Sequence, residues 1–148
     1  LVVKLKMTKI IKIFSVKESL SEDLPLYLSR PAAGFSIPGD DSIDSYLNIN
    51  DLLVDNPSAT FFVKVAGDSM EGAKIFSGDI LVVDRSVTPV SGSIVVAAVF
   101  GEMVVKRLST GTKGSFLLSE KEGYEPIVLT DNDDCFIWGT VIGSARVF

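Results

Sequence analysis

An all-β domain of short antiparallel strands is the fold class this sequence predicts, and three observations carry it. From Thr60 onward, seven short runs rich in β-branched and aromatic residues follow one another. Turn chemistry separates them at Ser77-Gly78-Asp79, Ser91-Gly92-Ser93, Thr110 to Gly114 and Asp131 to Asp134. The 148 residues are 47% apolar and 22% charged, which suits one globular domain rather than a disordered chain. Repeated short strands of this spacing mean a sandwich or barrel.

The elements can be taken in chain order. The opening LVVKLKMTKIIKIF has the look of a targeting segment, but Lys4, Lys6, Lys9 and Lys12 interrupt it too often for a signal-peptide core. No later stretch supplies the roughly 18 apolar residues of a transmembrane helix. Met7 offers a native start, and residues 1–6 then count as an upstream extension outside the fold. Residues 15–45 carry Pro25, Pro31, Gly34, Pro38 and Gly39 and no helical period, which predicts an extended, flexible, exposed N-terminal arm. Tyr46–Val54 sets Ile49, Leu52 and Leu53 on one face, a single short helix that ends before Asn56-Pro57. The strands follow at 60–66, 80–84, 94–100, 103–109, 115–119, 127–130 and 135–143.

Composition excludes several chemistries. There is no histidine, so no His-based triad, metal site or general base is possible. The one cysteine, Cys135, permits no internal disulfide and no thiolate zinc cluster, and it reads as core. A reducing, cytoplasmic setting fits. Asp131, Asn132, Asp133 and Asp134 read as a solvated acidic turn with poor spacing for calcium. Trp138 reads as core or dimer surface. The net charge is −5, which argues against a dedicated DNA-binding protein. Residues 1–33 hold six basic and three acidic residues, and residues 34–148 hold eight and sixteen. A basic arm thus precedes an acidic body, by attraction or as a solvated tail of accidental sign.

One hairpin can be placed closely. A two-residue turn at Gly101-Glu102, with glycine first as in type II′, pairs Phe100 with Met103 and Ala97 with Lys106. Lys106 then shares a face with Val104 and Leu108, across from Val95 and Val99, with no carboxylate there. A desolvated, unpaired lysine loses affinity for its proton and becomes a base near neutral pH. Snorkelling to an edge, or an acid from another strand, would equally accommodate it. The second feature is Gly67-Asp68-Ser69-Met70, where the chain turns after TFFVKVA. A serine on such a turn can project its hydroxyl, although Gly-Asp-Ser is also ordinary turn chemistry. Without histidine, a nucleophilic serine needs another base, and a neutral lysine can serve.

GDSM at 67–70, SGDILVVD at 77–84 and GSIVVAAVFGEMVVKRL at 92–108 together resemble the self-cleaving repressor and mutagenesis-protein family with the LexA-type peptidase domain. Pro31-Ala32-Ala33-Gly34-Phe35 resembles that family's self-cleavage site, and DLLVDNPSATFFVKVAGDSM resembles its UmuD branch. The likeness spans roughly residues 30–148. It implies a LexA-type fold, Ser69 as nucleophile, Lys106 as general base and Ala33–Gly34 as the bond cut. By analogy, the backbone N–H groups of Asp68 and Ser69 form the oxyanion site. It implies a latent homodimer, stimulated by a RecA–single-stranded DNA filament, whose product joins a UmuC-type subunit of an error-prone translesion polymerase. No cofactor, membrane or sequence-specific DNA contact is implied. Residues 1–33 are then an arm removed on cleavage, and 34–148 a β-rich body that stays folded because every strand lies downstream. The thirty-three residues before the bond lack the pattern of a winged helix-turn-helix, which separates this reading from a full repressor. The alternatives are a LexA-like repressor's peptidase domain, a membrane-anchored Ser-Lys signal peptidase, or a β-fold that only binds partners.

Overall fold

The structure is a computed structural model that describes residues 6–16, 24–27, 43–131 and 134–148. It divides into two units, residues 17–55 and residues 1–16 with 56–148.

The smaller unit pairs β2 (Leu24–Tyr27) with β3 (Ile43–Leu47), antiparallel, and adds α1 (Ile49–Leu53). The punctuated stretch 15–45, read as a strandless arm, therefore contributes two strands. The expected helix is present but shorter than 46–54. Asn48 caps it, its side-chain oxygen accepting from the N–H groups of Asn50 and Asp51, and it ends at Val54 in extended conformation.

The larger unit is a closed barrel with an extension. Its strands are β1 (Lys9–Ser15), β4 (Thr60–Ala66), β5 (Ile80–Asp84), β6 (Ile94–Val99), β7 (Glu102–Gly111), β8 (Gly114–Leu118), β9 (Ile127–Leu129) and β10 (Cys135–Ala145). Their order is β1-β4-β5-β10-β6-β7-β8-β9, and a β1–β7 bridge closes the first six into a ring. Residues 9–15 are thus a barrel stave, so not every strand lies downstream of residue 34. Lysines alternate poorly with apolar residues there because the register shifts between Ile10 and Lys12, and Ile11 and Ile13 face outward.

The inner faces of the strands bury Val63, Val65, Leu81, Val83, Val96 and Val105, with Met70 and Ile75. The opposite faces of β6 and β7 form a second cluster with Val95, Ala97, Val99, Val104, Leu108, Leu117 and Cys135. Cys135 is core, as read from its strand, and Trp138 packs against the first cluster and against Phe61. Among the described residues no helix is long and apolar enough to cross a membrane, and no group of side chains could hold a metal ion. Of the acidic turn, Asn132 and Asp133 lie outside the described residues.

The β6–β7 hairpin differs from the expected one by its turn. Phe100 and Gly101, both with positive φ (46° and 82°), are its central residues, the type I′ pattern. The Phe100 N–H donates to Asp134 O at 2.7 Å. The register becomes Val99 with Glu102 and Val95 with Lys106, rather than Ala97 with Lys106. A displacement of two residues preserves parity, so Lys106 keeps the apolar face assigned to it.

Asp84 anchors the junction of β4, β5 and β10, where it aligns with both Thr60 and Thr140. Wholly buried, it accepts from Asn56 Nδ2 (2.9 Å) and from Ser86 N and Oγ (2.8 and 2.6 Å). Burial pushes its pKa up, but these donors outweigh it and hold the carboxyl below its ordinary range. Asp84→Ala strands the donors and is expected to cost about 2–3 kcal/mol in urea unfolding.

Candidate active site

Gly67 ends the first wall of the site. It has φ 115°, and a Cβ there would lie 2.3 Å from Met7 O. Only glycine permits both the turn and the close approach of the N-terminal segment. Gly67→Ala is expected to destabilise the protein by roughly 1–3 kcal/mol, measured by urea titration.

Asp68 and Ser69 follow. The Asp68 N–H donates to Lys6 O at 2.7 Å, so the premise that residues 1–6 stand outside the fold fails at Lys6. The Asp68 carboxylate accepts from Tyr124 Oη (2.5 Å) and Lys121 Nζ (2.9 Å). The Tyr124 hydroxyl, then Lys121, bring its pKa down to about 2. Burial, with the same carboxylate alongside, pushes Tyr124 up to about 12. The Ser69 side chain is fully buried, and its Oγ accepts from the Thr8 N–H at 2.8 Å.

Lys106 forms the other wall. It is 0% exposed, the largest side chain so fully buried among the described residues, and lies on the face of β7 that carries Val104 and Leu108. Burial brings its pKa from an ordinary 10.5 down to about 8. Among the described residues no carboxylate pairs with it. Instead its Nζ donates to Ser119 Oγ at 2.5 Å and lies 5.6 Å from the centre of the Tyr124 ring.

Ser119 and Tyr124 were not among the residues singled out from the sequence. The signal for Ser119 lies in the next hairpin. Gly111 pairs with Gly114 and Arg107 with Leu118, and one more step along that register sets Ser119 opposite Lys106. Tyr124 arrives only through tertiary folding of the loop after β8.

The two wall residues meet through one dipeptide. The Glu120 N–H donates to Ser69 O at 2.7 Å, while Ser119 Oγ holds Lys106. A buried serine hydroxyl and a buried amine of lowered pKa thus share a support, beside the Asp68 N–H. A serine hydroxyl and an amine of lowered pKa can exchange a proton on contact; among the described residues the two are linked through Ser119-Glu120, with no direct hydrogen bond between them. Ala33 and Gly34 lie outside the described residues.

Comparison with known proteins matches most of the chain. The Peptidase S24-like family matches residues 25–142. Protein MucA of Salmonella typhimurium is 41% identical over 121 residues, 82% of this chain and 83% of that protein. Protein ImpA of Salmonella typhimurium is 40% identical over 103 residues, 70% of this chain and 66% of its own length. LexA repressor 2 of Xanthomonas oryzae pv. oryzae is 36% identical over 135 residues, 89% of this chain and 62% of the repressor.

Proposed function

The chain belongs to the Peptidase S24-like family, in its LexA/UmuD type, and on that premise we propose that it is a self-cleaving mutagenesis protein of the SOS response. It cuts its own Ala33–Gly34 bond with Ser69 and Lys106. The observation that carries this reading is the wholly buried Lys106 amine, short of its proton near pH 8 and tied to the backbone of Ser69 through Ser119-Glu120.

In the proposed reaction, Ser69 Oγ attacks the Ala33 carbonyl carbon while neutral Lys106 takes the hydroxyl proton. In this reading the backbone N–H groups of Asp68 and Ser69 donate to the oxygen that gains charge. The C–N bond breaks, and Lys106 returns the proton to the Gly34 nitrogen. Water, deprotonated by Lys106, then attacks the acyl carbon, the ester bond to Ser69 Oγ breaks, Lys106 returns the proton to that oxygen, and residues 1–33 end in a free carboxylate at Ala33. Small side chains at Ala33 and Gly34 let the backbone approach without a clash.

A RecA–single-stranded DNA filament favours the competent conformation by binding it better than the resting one. The processed homodimer then serves a UmuC-type translesion polymerase subunit in the cytoplasm. The experiment is to incubate the protein at neutral pH with and without the filament. Filament-dependent appearance of fragments 1–33 and 34–148, absent for Ser69→Ala, supports the reading. An intact chain under both conditions, or cutting of the Ser69→Ala protein, overturns it.

A further inference from the structure

A serine that is wholly buried and already accepts a hydrogen bond cannot receive a peptide carbonyl. What covers it is the chain's own N-terminal segment. Lys6 O accepts from the Asp68 N–H at 2.7 Å, and the Lys6 N–H donates back to Asp68 Oδ1 at 3.2 Å. Two residues on, the Thr8 N–H reaches Ser69 Oγ at 2.8 Å, and Thr8 O accepts from the Val105 N–H at 3.0 Å. Lys9 then aligns with Val104. The spacing is that of a strand laid between the 67–69 turn and β7. Its carbonyl sits on the amide proposed for the oxyanion, and its amide sits on the nucleophile.

We propose that Lys6–Thr8 is a built-in pseudosubstrate, an extended segment that fills the strand site over Ser69 and must leave before a scissile peptide can enter.

Two features make the segment displaceable. Thr8 is completely buried, yet its Oγ1 has no hydrogen-bond partner among the described residues, a cost that departure would relieve. Beside it an open groove of about 440 Å³ is lined by Lys6, Met7, Lys9, Ile11, Ala66 and Gly67, so the segment is not packed on every side. By contrast, β1 beyond it is paired with β4 through Ser15. The segment can therefore peel away while the barrel stave stays.

The inference rests on Ser69 as nucleophile, and two readouts separate the two ideas. Thr8→Pro removes the N–H that caps Ser69 together with the unpartnered Thr8 hydroxyl, and deletion of residues 1–8 removes the whole segment. Self-cleavage is expected to quicken about fivefold for the first, the worth of one hydrogen bond, and more for the second. Independently, Ser69→Cys is treated with iodoacetamide and alkylation is read by peptide mass. Residue 69 should be protected in the full chain and at least about tenfold more reactive after Thr8→Pro or the deletion, with the buried Cys135 unchanged. A synthetic peptide of residues 4–10 should restore protection to the deleted protein. Unchanged alkylation in folded variants, or unfolding of both variants, overturns the pseudosubstrate. Faster alkylation in a chain that never cleaves itself upholds it and overturns Ser69 as a peptidase nucleophile.

Discussion

Lys106→Met is expected to end self-cleavage and, at the same time, to make the protein more stable. The two effects have one cause. A lysine stem fits among Val104, Leu108 and Val95, but its ammonium does not. The fall of its pKa from 10.5 to about 8 corresponds to an unfavourable contribution of roughly 3 kcal/mol at pH 7. Methionine keeps the volume and drops the charge, at the loss of the bond to Ser119. A gain of up to roughly 3 kcal/mol should appear in urea unfolding at pH 7, with no fragments after prolonged incubation. A purely structural lysine would give the opposite sign, because breaking a favourable bond would lower stability. A lysine buried at a cost to the fold, in a chain with no histidine, is what the proposed role as general base requires.

The second large effect is on pH. In the proposed reaction neutral Lys106 is the reactive form, so the self-cleavage rate should climb about tenfold per pH unit below pH 8 and level above it. Stability should follow a related course with a definite sign. Unfolded, the lysine binds its proton up to about 10.5, whereas folded it releases it near 8. Between those values the unfolded chain binds more protons, so stability rises with pH across that window. Below pH 8 both states are protonated and the penalty is constant. Lys106→Met should remove that rise relative to the parent, which isolates this lysine from the other groups that titrate there. The Asp84 carboxyl acts at the other end. Its pKa is depressed on folding, so the stability it gives is present at neutral pH and is lost as pH falls through its folded value.

The site was legible where it depends on period and parity. Ser69 on its turn and Lys106 on an apolar face follow from alternation along β7, and the face survives a register error of two residues. The error itself came from Phe100, a bulky residue at positive φ that local preference places elsewhere. Strand β1 was missed because a bulge after Ile10 breaks the alternation that marks a strand. Thr8, Ser119 and Tyr124 were missed for other reasons. Ser119 follows from the register of the β7–β8 hairpin, one step beyond Arg107 and Leu118, which was not extended to it. Thr8 and Tyr124 reach the site through closure of the barrel and folding of the loop after β8, and no local pattern encodes those meetings. The coverage of Ser69 by Thr8 is likewise a tertiary fact.

The most direct test is to hold the purified chain at pH 10 and weigh the products. Two species with the masses of residues 1–33 and 34–148 are the expected result, since Lys106 is then neutral and needs only the segment over Ser69 to move. A chain that stays whole at that pH, or one severed at any bond other than Ala33–Gly34, would contradict the account.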